Sequence, residues 1–438
     1  MKPALTKELM DSWAEKNGIV HSTDELLSWI EELNQTTHVA VKPCSILESS
    51  FWFYDDYSGE ILNRKRSFFS VKGMRLFINE HFVGEQPMIF QPEIGYLGII
   101  CKEIKGVLHF LMQAKIEPGN VNCVQISPTI QATKSNFTRA HGGRMPEYFD
   151  YFEHAEKYEI LYDQVQSEQG SRFEGKRNRN IIIKVNENVE AGKNFRWMTL
   201  GQIKELMLRD NLVNMDTRTV LSGLPMDDTM PGGEGLTEVI YAMNNYKMFT
   251  DRRKVVVPLN ELVDWEVDFN GVRCTKSADF EVAFYDIEIS GREVQNWNQP
   301  LFKATGNALF GLVSKVENGK IKYLVHLSPE IGLMDYVEVG PTIQLEASQT
   351  ADMNNPINKL FYQHMNSGDG VAVDVMLSEE GGRFYHEQNR NVILEIKPDE
   401  LKDLPDGYFW VDYQALYTMV HTNNYLNIQL RNLMSLIQ

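Results

Sequence analysis

The chain repeats itself, and that constrains its fold more than any other feature. Gln86-Pro87 returns as Gln299-Pro300. At that same offset Gly98 meets Gly311, Gly106 meets Gly319 and Leu111 meets Leu324. Glu117 meets Glu330, Gly119 meets Gly332, and Pro128-Thr129-Ile130-Gln131 meets Pro341-Thr342-Ile343-Gln344. At an offset two residues shorter, Arg172-Phe173 meets Arg383-Phe384, and Asn178-Arg179-Asn180 meets Asn389-Arg390-Asn391. The first offset then resumes: Trp197 meets Trp410, and Asn211, Asn214, Arg218 and Ser222 meet Asn424, Asn427, Arg431 and Ser435. Residues of so many types held in one register mean a tandem duplication. The period is too long for a solenoid.

Each copy reads as the same series of elements. Strands are expected at Phe68 to Val71 and Phe280 to Ala283, at Tyr96 to Ile100 and Leu309 to Val313, and at Val107 to Met112 and Ile321 to Val325. The last two follow turns at Gly106 and Gly319. Ile181 to Ile183 and Val392 to Leu394 form another pair of strands. Leu200 to Arg209 and Tyr413 to Val420 have helical spacing, and both copies end in an amphipathic helix. The fold class is therefore α/β (α+β), a mixed sheet flanked by helices and built twice. Residues 1–50 form a helical lead-in, with Leu26, Leu27, Trp29, Ile30 and Leu33 on one apolar face. The first unit spans 51–224, a linker rich in Gly, Pro and Asp falls within 225–260, and the second unit spans 261–438.

With 438 residues, 43% of them hydrophobic, each unit has enough apolar side chains for its own core. The net charge of -17 argues against nucleic acid as a main partner, which would need a basic face. It leaves room for a small anion held by local Arg and Lys residues. Cys44, Cys101, Cys123 and Cys274 form no CxxC motif and fit a reducing compartment. No signal-like segment and no membrane-length apolar run is present, so the expected location is the cytoplasm, away from membranes.

The two copies differ where chemistry is expected. Residues 113–122 read QAKIEPGNVN, whereas residues 326–335 read HLSPEIGLMD. Lys115 becomes Ser328 and Asn120 becomes Leu333. Downstream, the run 133–139 (TKSNFTR) faces only 346–350 (EASQT). The working site is therefore expected in the first unit, because a diphosphate and a sugar need Arg forks, amides and hydroxyls.

The run 113–122 and the run 125–139 (QISPTIQATKSNFTR) resemble the central motif of the NDP-hexose 2,3-dehydratases. Residues 169–173 (QGSRF) and 176–180 (KRNRN) are similar to the family's second block, and 211–222 to its third. The resemblance covers nearly the whole chain, duplication included. It implies a tandem Nudix-like fold, a homodimer, and a nucleotide-linked 4-keto-6-deoxyhexose as substrate, commonly joined to dTDP. The metal-binding Nudix box is missing from both halves, so neither metal nor cofactor is expected. The implied reaction removes the C3 proton beside the C4 ketone and expels the C2 hydroxyl, giving a 3,4-diketo-2,6-dideoxy sugar. A 3-ketoreductase or aminotransferase would consume that labile product.

Lys115 and Glu117 are the candidate catalytic residues, for enolate stabilisation and proton transfer. Glu330 recurs opposite Glu117, so a structural carboxylate is the competing reading. Gln113, Asn120, Gln131, Thr133, Ser135 and Asn136 are candidate sugar and nucleotide contacts, against plain strand-edge and turn hydrogen bonding, and Arg139, a cation without a counterpart beside a polar run, is the better diphosphate candidate. Arg172, Arg177 and Arg179 are candidate phosphate ligands, although Arg172 and Arg179 recur as Arg383 and Arg390. Tyr148, Phe149, Tyr151 and Phe152 offer a stacking face or, more simply, core. The loop 141–144 reads as a turn or a lid. Two rival functions stay open: a metal-dependent nucleotide-sugar hydrolase of Nudix type, and a non-catalytic sugar-nucleotide binding protein.

Overall fold

The computed structural model describes residues 3–66, 68–134, 145–225, 231–291 and 294–438. Each unit is built on a seven-stranded mixed sheet. In the first, Glu159–Ser167, Arg177–Lys184, Gly95–Ile104, Val107–Ile116 and Phe195–Thr199 lie side by side. Val124–Ser127 adds to Val107–Ile116, and Ile130–Ala132 adds to Gly95–Ile104. The second sheet repeats these pairings with Val371–Ser378, Gln388–Ile396, Leu309–Glu317, Lys320–Pro329 and Tyr408–Asp412. In both, one parallel pairing lies at the centre, Arg177–Lys184 on Gly95–Ile104 and Gln388–Ile396 on Leu309–Glu317. These are the apolar runs seen in the sequence, and Ile99, Ile100 and Cys101 are fully buried, as strands covered on both faces require. Lys105-Gly106 and Asn318-Gly319 both have positive φ at both residues, the conformation of a tight hairpin turn.

One face of each large sheet turns toward the other unit. A single core joins Leu97, Ile99 and Phe110 to Phe310, Leu312 and Val325, with the terminal helices between them. Those helices, Met215–Leu221 and Ile428–Leu436, pack on each other. Their buried arginines cross over. Arg218 Nη2 donates to the Ser378 carbonyl at 2.8 Å, and Arg431 Nη2 donates to the Ser167 carbonyl. The opposite faces keep separate cores, around Phe152 in one unit and Phe361 in the other.

Two six-stranded sheets complete the fold, and they exchange strands. Val39–Pro43, which precedes the first unit, pairs with Phe280–Ile289 of the second. Arg252–Val257, which precedes the second unit, pairs with Ser70–Ile78 of the first. The lead-in is thus helical only in part: Pro3–Ala14 and Thr23–Thr36 are helices, and the exchanged strand follows. The second helix opens with a Ser22–Glu25 capping box and buries Leu26, Trp29 and Ile30. The stretch expected as a linker carries the helix Leu236–Phe249 and the other exchanged strand. Local composition signals turns but not strands whose partners lie about two hundred residues away, which is why both were missed.

Candidate functional site

The strand Val107–Ile116 places Gln113 and Lys115 on one face, since side chains alternate along a strand. Glu117 follows as the chain leaves the sheet. Lys115 Nζ meets Glu117 Oε1 at 3.1 Å and donates to the Gln131 carbonyl at 3.0 Å. Both side chains are largely buried, 18% and 13% exposed, so the ion pair is shielded from bulk water. The Gln131 amide bridges two further groups. Its Oε1 accepts from Asn214 Nδ2 at 3.2 Å, and its Nε2 donates to Glu380 Oε1 at 3.3 Å.

Glu380 belongs to the second unit. The units interlock here: Gly119 N donates to the Gly381 carbonyl at 2.7 Å, and His386 N donates to the Gly119 carbonyl at 2.8 Å. A Cβ on Gly119 would lie 1.6 Å from the Phe384 carbonyl oxygen, so only glycine permits this crossing. The counterpart crossing is Gly332 on Gly170, where a Cβ would lie 1.8 Å from the Phe173 carbonyl oxygen. Each pocket is therefore walled by both repeats.

Acidic groups crowd the first pocket. Burial, then the charges of Glu168 and Glu380, push Asp216 well above the usual carboxylate range. One of its oxygens is buried without a hydrogen-bond partner among the described residues. Burial pushes Glu168 up to about 7, and Glu380 rises through burial and then the charge of Glu117. Cations balance them. Lys115 and Lys176 are within electrostatic reach, with burial lowering Lys176. Arg383 lies over the Phe69 ring at 4.3 Å and donates twice to Gln91 Oε1.

The second pocket holds the same scaffold in another electrostatic state. Ser328 stands in place of Lys115, and Glu330 is held by amides. Gln344 Nε2 and Asn427 Nδ2 both donate to Glu330 Oε1, at 3.1 and 3.2 Å. Gln169 stands where the first pocket has Glu380, and Gln429 where it has Asp216. Arg172, the counterpart of Arg383, is bridged to Glu346 at 3.2 Å and Glu387 at 3.6 Å. Burial pushes these two carboxyls up to about 7 and about 8. The first pocket has Thr133 and Lys176 at those positions.

The residues expected from the sequence separate accordingly. Lys115, Glu117 and Gln131 come together. Asn120 is buried and donates to the Cys123 carbonyl, holding its own turn. Gln113 sits between Phe195 and Ser127 in the sheet, and Thr133 follows the strand that carries Gln131. Arg172 lines the second pocket rather than the first. Arg179 is locked in a two-pronged pair with Asp163, as Arg390 is with Asp374, so both are scaffold. Arg177 lies on the strand beside Ser167 with a buried Nε that has no partner among the described residues. Phe149 and Phe152 are core, packed with Trp197. Ser135, Asn136, Arg139 and the loop 141–144 lie outside the described residues. Sequence reasoning missed Asp216, Glu168 and Lys176 in the first unit, and Glu380 and Arg383 from the second. Asp216 against Gln429 and Glu380 against Gln169 were legible as differences between copies. Their shared pocket was not, because it crosses between the repeats.

Residues 23–224 and 236–437 each match the sequence model of the family described as NDP-hexose 2,3-dehydratase. The chain is 33% identical over 438 residues to the dTDP-4-dehydro-6-deoxy-alpha-D-glucopyranose 2,3-dehydratase of Amycolatopsis orientalis, covering 97% of this chain and 92% of that protein. It is 34% identical over 446 residues to the protein of the same name from Saccharopolyspora spinosa, covering 96% and 92%. It is also 34% identical over 429 residues to that of Streptomyces violaceoruber, covering 94% and 96%.

Proposed function

Because the chain belongs to the NDP-hexose 2,3-dehydratase family, we propose that its substrate is a dTDP-linked 4-keto-6-deoxyglucose and that the first pocket carries out the dehydration. The observation that carries this reading is the Lys115–Glu117 pair at 3.1 Å, set against Ser328 and an amide-bound Glu330 in the other pocket. The C4 ketone acidifies the C3 hydrogen. Glu117, paired with Lys115, takes that proton. As charge moves onto the C4 oxygen, the Lys115 ammonium stabilises it, in a site where water screens little. A donor held ready for such an oxyanion contributes about 3 kcal/mol, and a placed general base about 10²–10⁴-fold. C2 is reduced as C3 is oxidised, so the sugar itself balances the electrons.

Among substrate contacts, Gln131 stands beside the catalytic pair, and Thr133 follows it in the chain. Gln113 and Asn120 shape the strand and turn that hold it, and Ser135, Asn136 and Arg139 continue the polar run. The four cysteines are free, which suits a reducing cytoplasm. No helix among the described residues is long and apolar enough to cross a membrane. The reading further includes a homodimer that passes its labile diketone to a 3-ketoreductase or aminotransferase.

The test is direct. The protein is incubated with dTDP-4-keto-6-deoxyglucose and a trapping reductase, with and without chelator. Loss of one water at a chelator-insensitive rate is the expected result. An unchanged sugar, or release of the nucleotide with hydrolysis of the diphosphate, would overturn the reading.

A further inference from the structure

Dehydration needs a second proton transfer that Glu117 does not perform: the C2 hydroxyl must leave as water. The second repeat lays its loop 379–386 on the turn that follows Glu117. A Cβ on Gly381 would stand 3.0 Å from the Glu117 Cβ, so the neighbouring Glu380 is brought into the pocket of the catalytic pair. Two donors fix Glu380, Gln131 Nε2 at 3.3 Å and Gly382 N at 2.9 Å, and both fall on Oε1. Neither of these two bonds engages Oε2, the oxygen assigned the proton below.

We infer that Glu380, supplied by the second repeat to the pocket of the first, is the general acid that protonates the departing C2 hydroxyl. This rests on the dehydratase reading above. Two neighbouring carboxyls sharing a buried site resist ionising together, and Glu117 is the one that faces Lys115 at 3.1 Å. Burial, then the charge of Glu117, favour the protonated form of Glu380. The steps balance. Glu117 takes the C3 proton, and the electron pair forms the C2–C3 double bond as the C2–O bond breaks. Glu380 gives its proton to the hydroxyl, and water leaves. The enol then becomes the ketone as protonated Glu117 returns its proton to C2 and ionised Glu380 takes the proton from the C3 oxygen. Both carboxyls end as they began.

The second pocket shows that the fold accepts an amide at this place, because Gln169 occupies the equivalent position. Glu380→Gln is therefore a mild change to the structure, and circular dichroism checks that it folds. In deuterated water with dTDP-4-keto-6-deoxyglucose, this variant should dehydrate at least about 10²-fold more slowly than the wild type. It should still exchange the C3 hydrogen for deuterium within about tenfold of the wild-type rate. The 2-deoxy-2-fluoro analogue, whose fluoride leaves without a full proton transfer, should be eliminated within about tenfold of wild type. Glu117→Gln should lose exchange as well. Dehydration of the parent sugar by Glu380→Gln at a near-wild-type rate would overturn the assignment. So would simultaneous loss of exchange and fluoride elimination in that variant. A wild-type protein that neither exchanges nor dehydrates would instead sink the dehydratase reading itself.

Discussion

The two pockets share a backbone and differ by a handful of side chains. In the first, Lys115 draws Glu117 into an ion pair and frees the Gln131 amide to reach Glu380. In the second, Ser328 donates to Gln344 Oε1 at 2.8 Å, and Glu330 gathers both amides. One cation decides whether the carboxylate is poised or tied down. The same holds for the buried arginines. Arg383 meets a neutral amide oxygen, whereas Arg172 is bridged to two carboxylates of its own chain. A duplicated fold thus keeps its geometry in both copies while the charges set around the shared carboxyl and arginine differ.

The sharpest way to break this contrast is to exchange the deciding residue. Lys115→Ser should lower kcat by about 10²–10³-fold with the fold intact, since it removes a donor aimed at the developing oxyanion. Ser328→Lys should add nothing to the rate, because Gln169 and Gln429 leave that pocket without the partner acids. Steady-state kinetics with the keto sugar checks both.

The crossing glycines should separate stability from activity. Gly119→Ala and Gly332→Ala each force a Cβ into a backbone carbonyl, and each should cost about 3 kcal/mol or more. Thermal and urea unfolding should report similar losses for the two. Only Gly119→Ala should also depress kcat, because it moves the Glu117 turn against the Glu380 loop.

A smaller effect is expected from Thr133→Glu, which installs the residue of the second pocket at position 346. A new carboxylate near Arg383 should compete with an anionic substrate and raise KM by about tenfold, or about 1.4 kcal/mol, with kcat little changed. An unchanged KM would mean that position 133 does not control anion binding.

The last contrast concerns pH and leaves the rate untouched. Burial pushes Glu338 up to about 8 in the folded chain, whereas its counterpart Gln125 does not titrate. An unfolded Glu titrates near about 4.3. The protonated form is favoured by folding, so this stability is full below that value and is lost as pH rises toward about 8. Glu338→Gln keeps an acceptor for Ser167 Oγ, which lies 2.6 Å away in the wild type. It should flatten the fall in stability between pH 5 and 8 by up to about 1.4 kcal/mol per pH unit. Urea titrations at several pH values measure that slope.

Much of this was legible in the sequence. The central strands and the terminal helices showed their periodicity, and Lys115 stood out because its counterpart is Ser328, whereas Glu117 is matched by Glu330 and stood out only as the neighbour of Lys115. What stayed hidden has one physical cause, contact between the repeats. Val39–Pro43 and Arg252–Val257 are short edge strands whose partners lie in the other unit. Glu380 and Arg383 were hidden for the same reason, since each works in a pocket whose other residues lie far away in sequence. Arg172 was misplaced by reading each unit as closed on itself.

The central claim is that one pocket works and the other does not. Water loss from dTDP-4-keto-6-deoxyglucose is the measurement, made on two variants side by side. The double variant Ser328→Ala with Glu330→Gln, which disables the second pocket, should turn over at the wild-type rate. Lys115→Ala should be slower by about 10²–10³-fold. A silent double variant beside a fully active Lys115→Ala would contradict the account outright.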